Sequence, residues 1–511
     1  MSERLRAPSA HQQAIFDFVQ SGQGHGVIHA TAGSGKTATL IEVSHYLSKG
    51  EHSLFLAFNL QVAAELRKRL PQHIQAQTLH ALGFRLLRQS QPETSFKVEP
   101  SKLASLVTQI IREDDRSSII KGAERKALTT YLKQLAHFIR LNLSTPEQVP
   151  ALVKTYQQHL GDLEQDLRLV AHELVWKLLD AAAERAQQGV IDFTDMMFLP
   201  IIQNLLPKQG YDFVLIDEAQ DLAPLSILLI QRVMKRKGRL LAVGDQHQAI
   251  YGFAGADVGG LKRLARHLGA TDFPLSVTYR CPRSHIKLAR RFSPQIAPAP
   301  MAGEGTVRYA LVDDVAREIQ PQDLVLCRLN APLFELGLRC SSLGVPTHIL
   351  GQDVIGQLER DVKAALFHDL TEAQRTIDLF VVQELGKIER SNLTVQEKTR
   401  ALLQRRDELS SLSGVATFAL GEGVTTRPEL VRFVKELFAS NRAAVFSSVH
   451  KAKGKEAERV FILYPHLMPL RGDDGTLLSG ETCVQFVAVT RSKESLTFIE
   501  HPNERDGWWR T

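Results

Sequence analysis

Two glycines, a lysine and a threonine stand inside the run HATAGSGKTATL, from His29 to Leu40. Gly33 and Gly35 allow a backbone turn whose N–H groups face phosphate oxygens. Lys36 at that spacing reaches β- and γ-phosphates, and the Thr37 hydroxyl ligates Mg²⁺. The nucleotide-binding loop is therefore read as Ala32, Gly33, Ser34, Gly35, Lys36, Thr37 and Ala38. The general pattern begins with a glycine, but Ala30 stands there. GVIHA (26–30) reads as a strand and KTATLIEVSHYL (36–47) as a helix. That strand–loop–helix context favours a phosphate loop over a glycine-rich turn with a chance Lys-Thr.

A second run, FVLIDEAQD (213–221), ends an apolar strand in two carboxylates. Alone, that is an ordinary solvated strand end. Behind a phosphate loop it suits a Mg²⁺-dependent ATPase, with Asp217 holding the metal through water and Glu218 polarising the attacking water. A third run, VGDQHQAIYGFAGA (243–256), places Gln248 where an amide can sense a γ-phosphate. Tyr251 and Phe253 follow, aromatics that could stack on the bases of a single strand. Taken alone they would be core residues.

These residues need elements to position them, and the chain supplies two sets of short apolar runs. The first is 26–30, 53–58, 212–219 and 239–245; the second is 323–328, 459–464 and 495–500. Continuous apolarity suits parallel strands covered by helices on both faces, so the chain predicts two α/β domains. Between the runs lie stretches without buried strands. Leu174, Val175, Leu178, Leu179, Ala182 and Ala186 recur at helical spacing before Gly189, and 394–412 reads as a polar amphipathic helix. Both stretches predict helical insertions.

At 511 residues the chain exceeds one core. It is 44% hydrophobic and 23% charged, with no run approaching a membrane span. The first residues lack an apolar signal core, which predicts a cytoplasmic protein. The four cysteines form no zinc-ligand spacing. A net charge of +6 and a pI of about 9.0 favour a polyanionic partner.

In order and wording these segments resemble superfamily 1 helicases of the UvrD/Rep type, where the first phosphate-loop position is often alanine. The remaining motifs follow in family order. APSAHQQAIFDF (7–18) resembles the adenine-reading segment, through Gln12 or Gln13, with Gln12 preferred. LAFNLQVAAEL (56–66) and AQTLHALGFRLL (76–87) resemble strand-contact segments, through Phe58, Asn59, Thr78 and His80. IDFTDMM (191–197) resembles the short Asp-Phe-x-Asp segment. LSVTYRCP (275–282) resembles the motif in which Tyr279 stacks on adenine and Arg280 contacts the γ-phosphate. SSVHKAKGKEAERVFIL (447–463) supplies His450 as a strand contact and Glu456 as a ribose contact. VQFVAVTRSKESL (484–496) resembles the segment whose Arg491 is the arginine finger.

The resemblance implies two RecA-like motor domains, each with a helical insertion. Their expected parts are 1–88, 89–189 (insertion), 190–274, 275–354, 355–440 (a reduced accessory insertion) and 441–511. It implies ATP and Mg²⁺ as cofactors, single-stranded and tailed duplex DNA as partners, 3′ to 5′ movement, and loading, repair or replication proteins as further partners. Ala254, Lys455, Ala457 and Phe486 depart from common family residues, but none removes a phosphate or Mg²⁺ contact. The tail after Arg491 leaves no expected room for a fused nuclease. Two competing readings are a translocase that strips proteins from a strand with weak unwinding, and a nucleotide-gated DNA- or partner-binding protein.

Overall fold

The structure, a computed structural model, describes residues 8–118, 120, 122–160, 163–250, 259–350, 352–364, 370–389, 395–437, 443–471, 477, 480–504 and 507–510. Their contacts divide the chain into two units, Met1–Val277 and Thr278–Thr511.

In the first unit the strands are β1 (Gly26–Ala30), β2 (Ser53–Ala57), β3 (Ile74–Thr78), β4 (Lys97–Val98), β5 (Val190–Ile191), β6 (Tyr211–Ile216), β7 (Met234–Gly244) and β8 (Thr271–Leu275). Six of them form one sheet in the order β3-β2-β6-β7-β1-β8. Every pairing in it is parallel. Parallel strands need covering helices on both faces, and the side chains separate accordingly. Val27, Leu54, Leu56, Val214 and Ile216 enter one core, and Ile28, Phe55, Phe213 and Leu215 enter the other. That double burial makes these strands read as unbroken apolar runs.

The register fixes where function can sit. His29 pairs with Gly244, Ala30 with Leu275, Ile216 with Ala242 and Leu56 with Ile216. The segments that leave β1, β2, β3, β6 and β7 therefore emerge at one edge of the sheet, where α/β folds bind ligands.

The first insertion consists mainly of the helices Lys102–Glu113, Gly122–Asn142, Val149–Leu160 and Gln165–Gln187. It has its own core, including Val107, Leu128, Leu135, Phe138, Leu174 and Leu178. The last of these helices stops before Gly189, whose φ of 83° is the left-handed value glycine adopts cheaply.

A short ribbon joins β9 (Val277–Thr278) to β10 (Ala297–Pro298). The second unit then contributes β11 (Thr306–Leu311), β12 (Leu324–Cys327), β13 (Thr347–Ile349), β14 (Ala444–Ser448), β15 (Ala457–Leu463) and β16 (Ser492–Glu500). Their order is β11-β16-β15-β12-β14-β13, again parallel throughout. The two units are thus two parallel α/β layers of the RecA-like kind, each carrying a helical insertion.

The second insertion packs differently from the first. Its helices Gln352–Ala364, Leu370–Glu389, Val395–Gly421 and Arg427–Leu437 contribute Leu358, Ile377, Leu412, Val415 and Leu430 to the same core as Val325, Phe446 and Phe461 of the sheet. Asp407 of the long helix accepts hydrogen bonds from the backbone N–H groups of Asn330 and Ala331, at 2.8 and 2.6 Å. Burial raises its carboxyl pKa, against those hydrogen bonds. It satisfies donors at the start of the helix Ala331–Ser342.

All four cysteines are buried thiols. Among the described residues no helix is long and apolar enough to cross a membrane.

Candidate functional site

The loop after β1 turns through two left-handed glycines, Gly33 (φ 70°) and Gly35 (φ 82°). Gly35 begins the helix Lys36–Ser44, and its carbonyl accepts from Thr39 N–H at 2.8 Å. The helix closes at Ser44 rather than at Leu47 because the N–H of His45 turns back to Glu42 and Val43, tightening the last turn. The Ser34 hydroxyl donates to Thr31 O at 2.8 Å and braces the loop from inside. Ala32 and Ser34 are buried, Gly33, Gly35, Lys36 and Thr37 are half-buried, and Ala38 is exposed. Ala30 lies in the core with Ile28 and Val243.

Chain segments 180 residues apart meet here. Thr37 Oγ1 donates to Asp217 Oδ2 at 2.5 Å, and Lys36 Nζ stands 3.1 Å from Glu218 Oε1. Asp217 ends the β6 run. Glu218 then turns the chain with φ 53° and ψ 41°, a left-handed conformation that costs a non-glycine residue about 1–2 kcal/mol. Such strain is maintained where the surroundings require a side chain at one place.

A buried amide ties this pair to the neighbouring strand. Gln220 is fully buried; its Nε2 donates to Glu218 Oε2 at 2.5 Å and its Oε1 accepts from Asp245 N–H at 2.9 Å. Asp245 leaves β7 and accepts from Gln248 Nε2 at 2.7 Å. The chain Glu218–Gln220–Asp245–Gln248 spans the ends of β6 and β7. Sequence reasoning passed over Gln220 and Asp245, although DEAQD and GDQHQ both carry them.

The electrostatics follow from three carboxylates around one ammonium. Burial pushes Asp217 up to about 6, with the Glu218 charge adding to it and Lys36 and Thr37 opposing. Burial likewise raises Asp245, against Lys36 and Gln248. For Lys36, burial works to lower the pKa, but Glu218, Asp245 and Asp217 outweigh it and hold the ammonium above its ordinary value. A surplus of buried negative charge beside a hydroxyl fits a small divalent cation that takes a few protein oxygens and fills its shell with water and phosphate. Among the described residues no cluster of three or more His, Cys, Asp or Glu side chains forms an all-protein metal cage.

Gln12 reaches the same helix. Its Nε2 donates to Thr39 Oγ1 at 3.0 Å while its Oε1 accepts from Ser9 N–H in a reciprocal cap. Gln13 instead bonds to Asp17 on its own helix.

The strand-contact candidates occupy the other half of the edge, after β2 and β3. Phe58 is 45% exposed. Asn59 Oδ1 caps the helix Leu60–Arg69 by accepting from Val62 N–H at 2.8 Å. Thr78 is buried and caps the helix Leu79–Ser90 through Ala81 N–H at 3.2 Å. His80 is exposed and stands edge-on to Phe193, ring centroids 6.2 Å apart. Phe193, 52% exposed, was missed as an individual residue; an aromatic flanked by acidic residues in IDFTDMM was the available signal. Tyr251, Phe253 and Ala254 lie outside the described residues.

In the second unit Arg280 grips Glu456, with Nε 2.6 Å and Nη2 2.5 Å from Oε2. Lys493 Nζ lies 3.0 Å from the other oxygen. Burial opposes ionisation of Glu456, but Arg280 and Lys493 hold its pKa below the ordinary value. Arg491 is buried, with Nε donating to Val487 O at 3.0 Å and Nη2 to Thr490 Oγ1 at 3.2 Å. Tyr279 is 40% exposed. Arg280, Glu456, Arg491 and Lys493 thus gather near the start of β15 and β16. His450 lies at the opposite edge, after β14, where burial and Arg328 bring its imidazole down to about 4 against the pull of Glu481. Arg328 is itself held by Glu481 through a fork at 2.7–3.1 Å.

The comparisons with known proteins agree with one another. Residues 11–268, just over half of the chain, match the family described as "UvrD/REP helicase N-terminal domain". The chain is similar to "F-box DNA helicase 1" of Gallus gallus, 25% identical over 529 residues, covering 93% of this chain and 47% of that protein. It is similar to "DNA helicase IV" of Escherichia coli, 26% identical over 318 residues, covering 54% of this chain and 46% of that protein. To "ATP-dependent DNA helicase Rep" of Buchnera aphidicola it is 24% identical over 277 residues, covering 50% of this chain and 38% of that protein. The chain spans less than half the length of each of these relatives.

Proposed function

The chain belongs to the UvrD/Rep helicase family, and from that premise we propose that it is an ATP-dependent DNA helicase that moves along single-stranded DNA from 3′ to 5′ and opens duplex. The observation that carries the reading is the junction of Lys36 and Thr37 with Glu218 and Asp217, at 3.1 and 2.5 Å.

In this reading the loop from Ala32 to Ala38 and the start of the helix Lys36–Ser44 cradle phosphates, with Lys36 turning from Glu218 to the β- and γ-phosphates. Thr37 and Asp217 are the protein groups that hold Mg²⁺, which supplies neutralisation of developing phosphate charge when bound. Released from Lys36, Glu218 accepts a hydrogen bond from the attacking water and orients it. Gln220 keeps the carboxylate in place during that exchange. Gln248 senses the γ-phosphate, Gln12 and Tyr279 take the adenine, and Glu456 takes the ribose. Arg280 and Arg491 stabilise charge on the transferred phosphoryl group.

The strand is engaged at Phe58, Asn59, Thr78 and His80, with His450, Tyr251 and Phe253 as further contacts. Base stacking and phosphate charge make such binding tolerant of sequence and sensitive to salt. β6, with Asp217 and Glu218 at its end, lies between the strands that present Phe58 and His80 and those that present the phosphate loop. In this reading a change at Glu218 is one strand away from Phe58.

The test is ATP turnover with and without single-stranded DNA, followed by unwinding of matched 3′- and 5′-tailed duplexes. Strong stimulation by the strand, loss in Lys36→Ala, and opening of only the 3′-tailed duplex are expected. Turnover indifferent to DNA would sink the reading; opening of the 5′-tailed duplex would reverse the polarity.

A further inference from the structure

The first insertion sends two charged side chains into the motor. Lys102, the first residue of its helix, is 1% exposed, and its Nζ lies 2.7 Å from Asp195 Oδ2. Arg140, near the end of the helix Gly122–Asn142, is 2% exposed. One of its nitrogens, Nη1, bridges Asp192 Oδ2 and Asp195 Oδ1, each at 2.9 Å. The two aspartates also close a ring on each other's backbone: Asp192 N–H donates to Asp195 Oδ2 at 2.8 Å and Asp195 N–H to Asp192 Oδ1 at 2.9 Å. His137, one turn before Arg140, contacts the Thr194 hydroxyl at 3.3 Å.

Three of the four residues from Asp192 to Asp195 are thus buried and held by the insertion. The remaining one, Phe193, is the exposed ring beside His80. The helix that begins with Leu79 and carries His80 is fixed against the same segment, because a β-carbon at Gly83 would lie 2.0 Å from Met196 O. A buried quartet of charges is a poor way to gain stability alone, since apolar residues of similar volume serve as well. What it provides is geometry: a cation shared by two carboxylates sets their spacing and hence the crest between them.

We infer that Lys102 and Arg140 are positioning residues for strand binding, holding the Asp192–Asp195 turn so that Phe193 presents its ring to a nucleobase. The inference rests on the DNA-motor reading. It also gives the first insertion a role in the motor's own grip.

The experiment is a double-mutant cycle on the full chain, reading affinity for labelled oligothymidylate by fluorescence anisotropy, with DNA-free ATP turnover and the melting temperature measured alongside. Phe193→Ala is expected to weaken binding on the order of ten-fold, since base–aromatic stacking is worth roughly 1–3 kcal/mol, while Phe193→Tyr retains affinity. Lys102→Met and Arg140→Lys are expected to weaken binding several-fold with DNA-free turnover unchanged. Combined with Phe193→Ala, neither should weaken it further. If Lys102→Met fails to fold, Arg140→Lys, which keeps the charge, carries the cycle. Wild-type affinity in both charge variants, or losses that multiply with that of Phe193→Ala, would overturn the inference. A wild-type chain that binds no strand would instead remove the DNA reading beneath it.

Discussion

Lys36 and Glu218 form an ion pair at 3.1 Å although 182 residues separate them in the chain. The proposed cycle gives the lysine to phosphate and the carboxylate to water, and in the structure the two neutralise each other. If Lys36 takes the phosphates as proposed, nucleotide binding breaks this pair and Glu218 competes with ATP for Lys36. Glu218→Gln is therefore expected to lower kcat by about 10²–10⁴-fold, the usual range for a lost general base, while ATP affinity stays equal or tightens a few-fold. Lys36→Ala is expected to lose nucleotide binding itself. Nucleotide titration alongside steady-state turnover separates the two; a Glu218→Gln variant that binds ATP much more weakly contradicts the competition.

Gln220 offers a sharper test, because it touches no phosphate in the proposed cycle. It joins Glu218 to the backbone of Asp245 and is fully buried. Gln220→Leu keeps the volume and removes both hydrogen bonds. Leaving buried partners unsatisfied costs about 1–3 kcal/mol, visible as a lower melting temperature. The functional expectation is a fall in kcat of at least about ten-fold, since roughly 1.4 kcal/mol of lost transition-state stabilisation gives that factor, with KM for ATP little changed. A variant that loses stability but keeps wild-type kcat shows that the amide only packs.

Histidine burial predicts an acid limit. His137 is held down at about 4, chiefly by burial and then by Arg140 and Lys133, with Asp192 opposing. Its ordinary value is 6.5. The unfolded chain therefore binds a proton between these values that the folded chain does not. Stability is fully present above pH 6.5 and is lost as pH falls towards 4, at up to about 1.4 kcal/mol per pH unit for one proton. His137→Gln is expected to flatten the stability–pH slope in this window by about one proton. Denaturant titrations at pH 7, 6, 5 and 4.5 give that slope; an unchanged slope removes His137 as its source.

Elements buried on both faces were the legible ones. Runs such as GVIHA and FVLI are apolar throughout because their residues enter two cores, and they mark β1 and β6 without ambiguity. Edge and one-sided strands were not legible: IQAQT of β3 alternates buried and exposed residues, and TDFPL of β8 buries only Leu275 fully. The same physics governed the site. Lys36, Thr37, Asp217 and Glu218 stood out because phosphate and metal chemistry restricts their types. Gln220, Lys102 and Arg140 did not, because an amide or a buried cation earns its role from partners tens of residues away, such as Asp245 and Asp192. Phe193 fell between: its type was visible, but not the network that places it.

Phe58 allows the stacking contribution to strand binding to be separated from the charge contribution. It is 45% exposed on the turn after β2, immediately before the helix that Asn59 caps. An aromatic ring that stacks on a base displaces no counterions, whereas each neutralised phosphate of a single strand steepens the fall of log K with log salt by roughly 0.7 unit. Phe58→Ala is therefore expected to weaken oligothymidylate binding by roughly 5- to 150-fold at a fixed salt concentration, the range of 1–3 kcal/mol per stacked base. The salt slope should remain that of the wild type. Anisotropy titrations between about 50 and about 200 mM salt, over which log K falls linearly with log salt, give both quantities at once. Unchanged affinity would show that Phe58 does not face the strand, and a shallower slope would show that its loss disturbs neighbouring phosphate contacts rather than a stack.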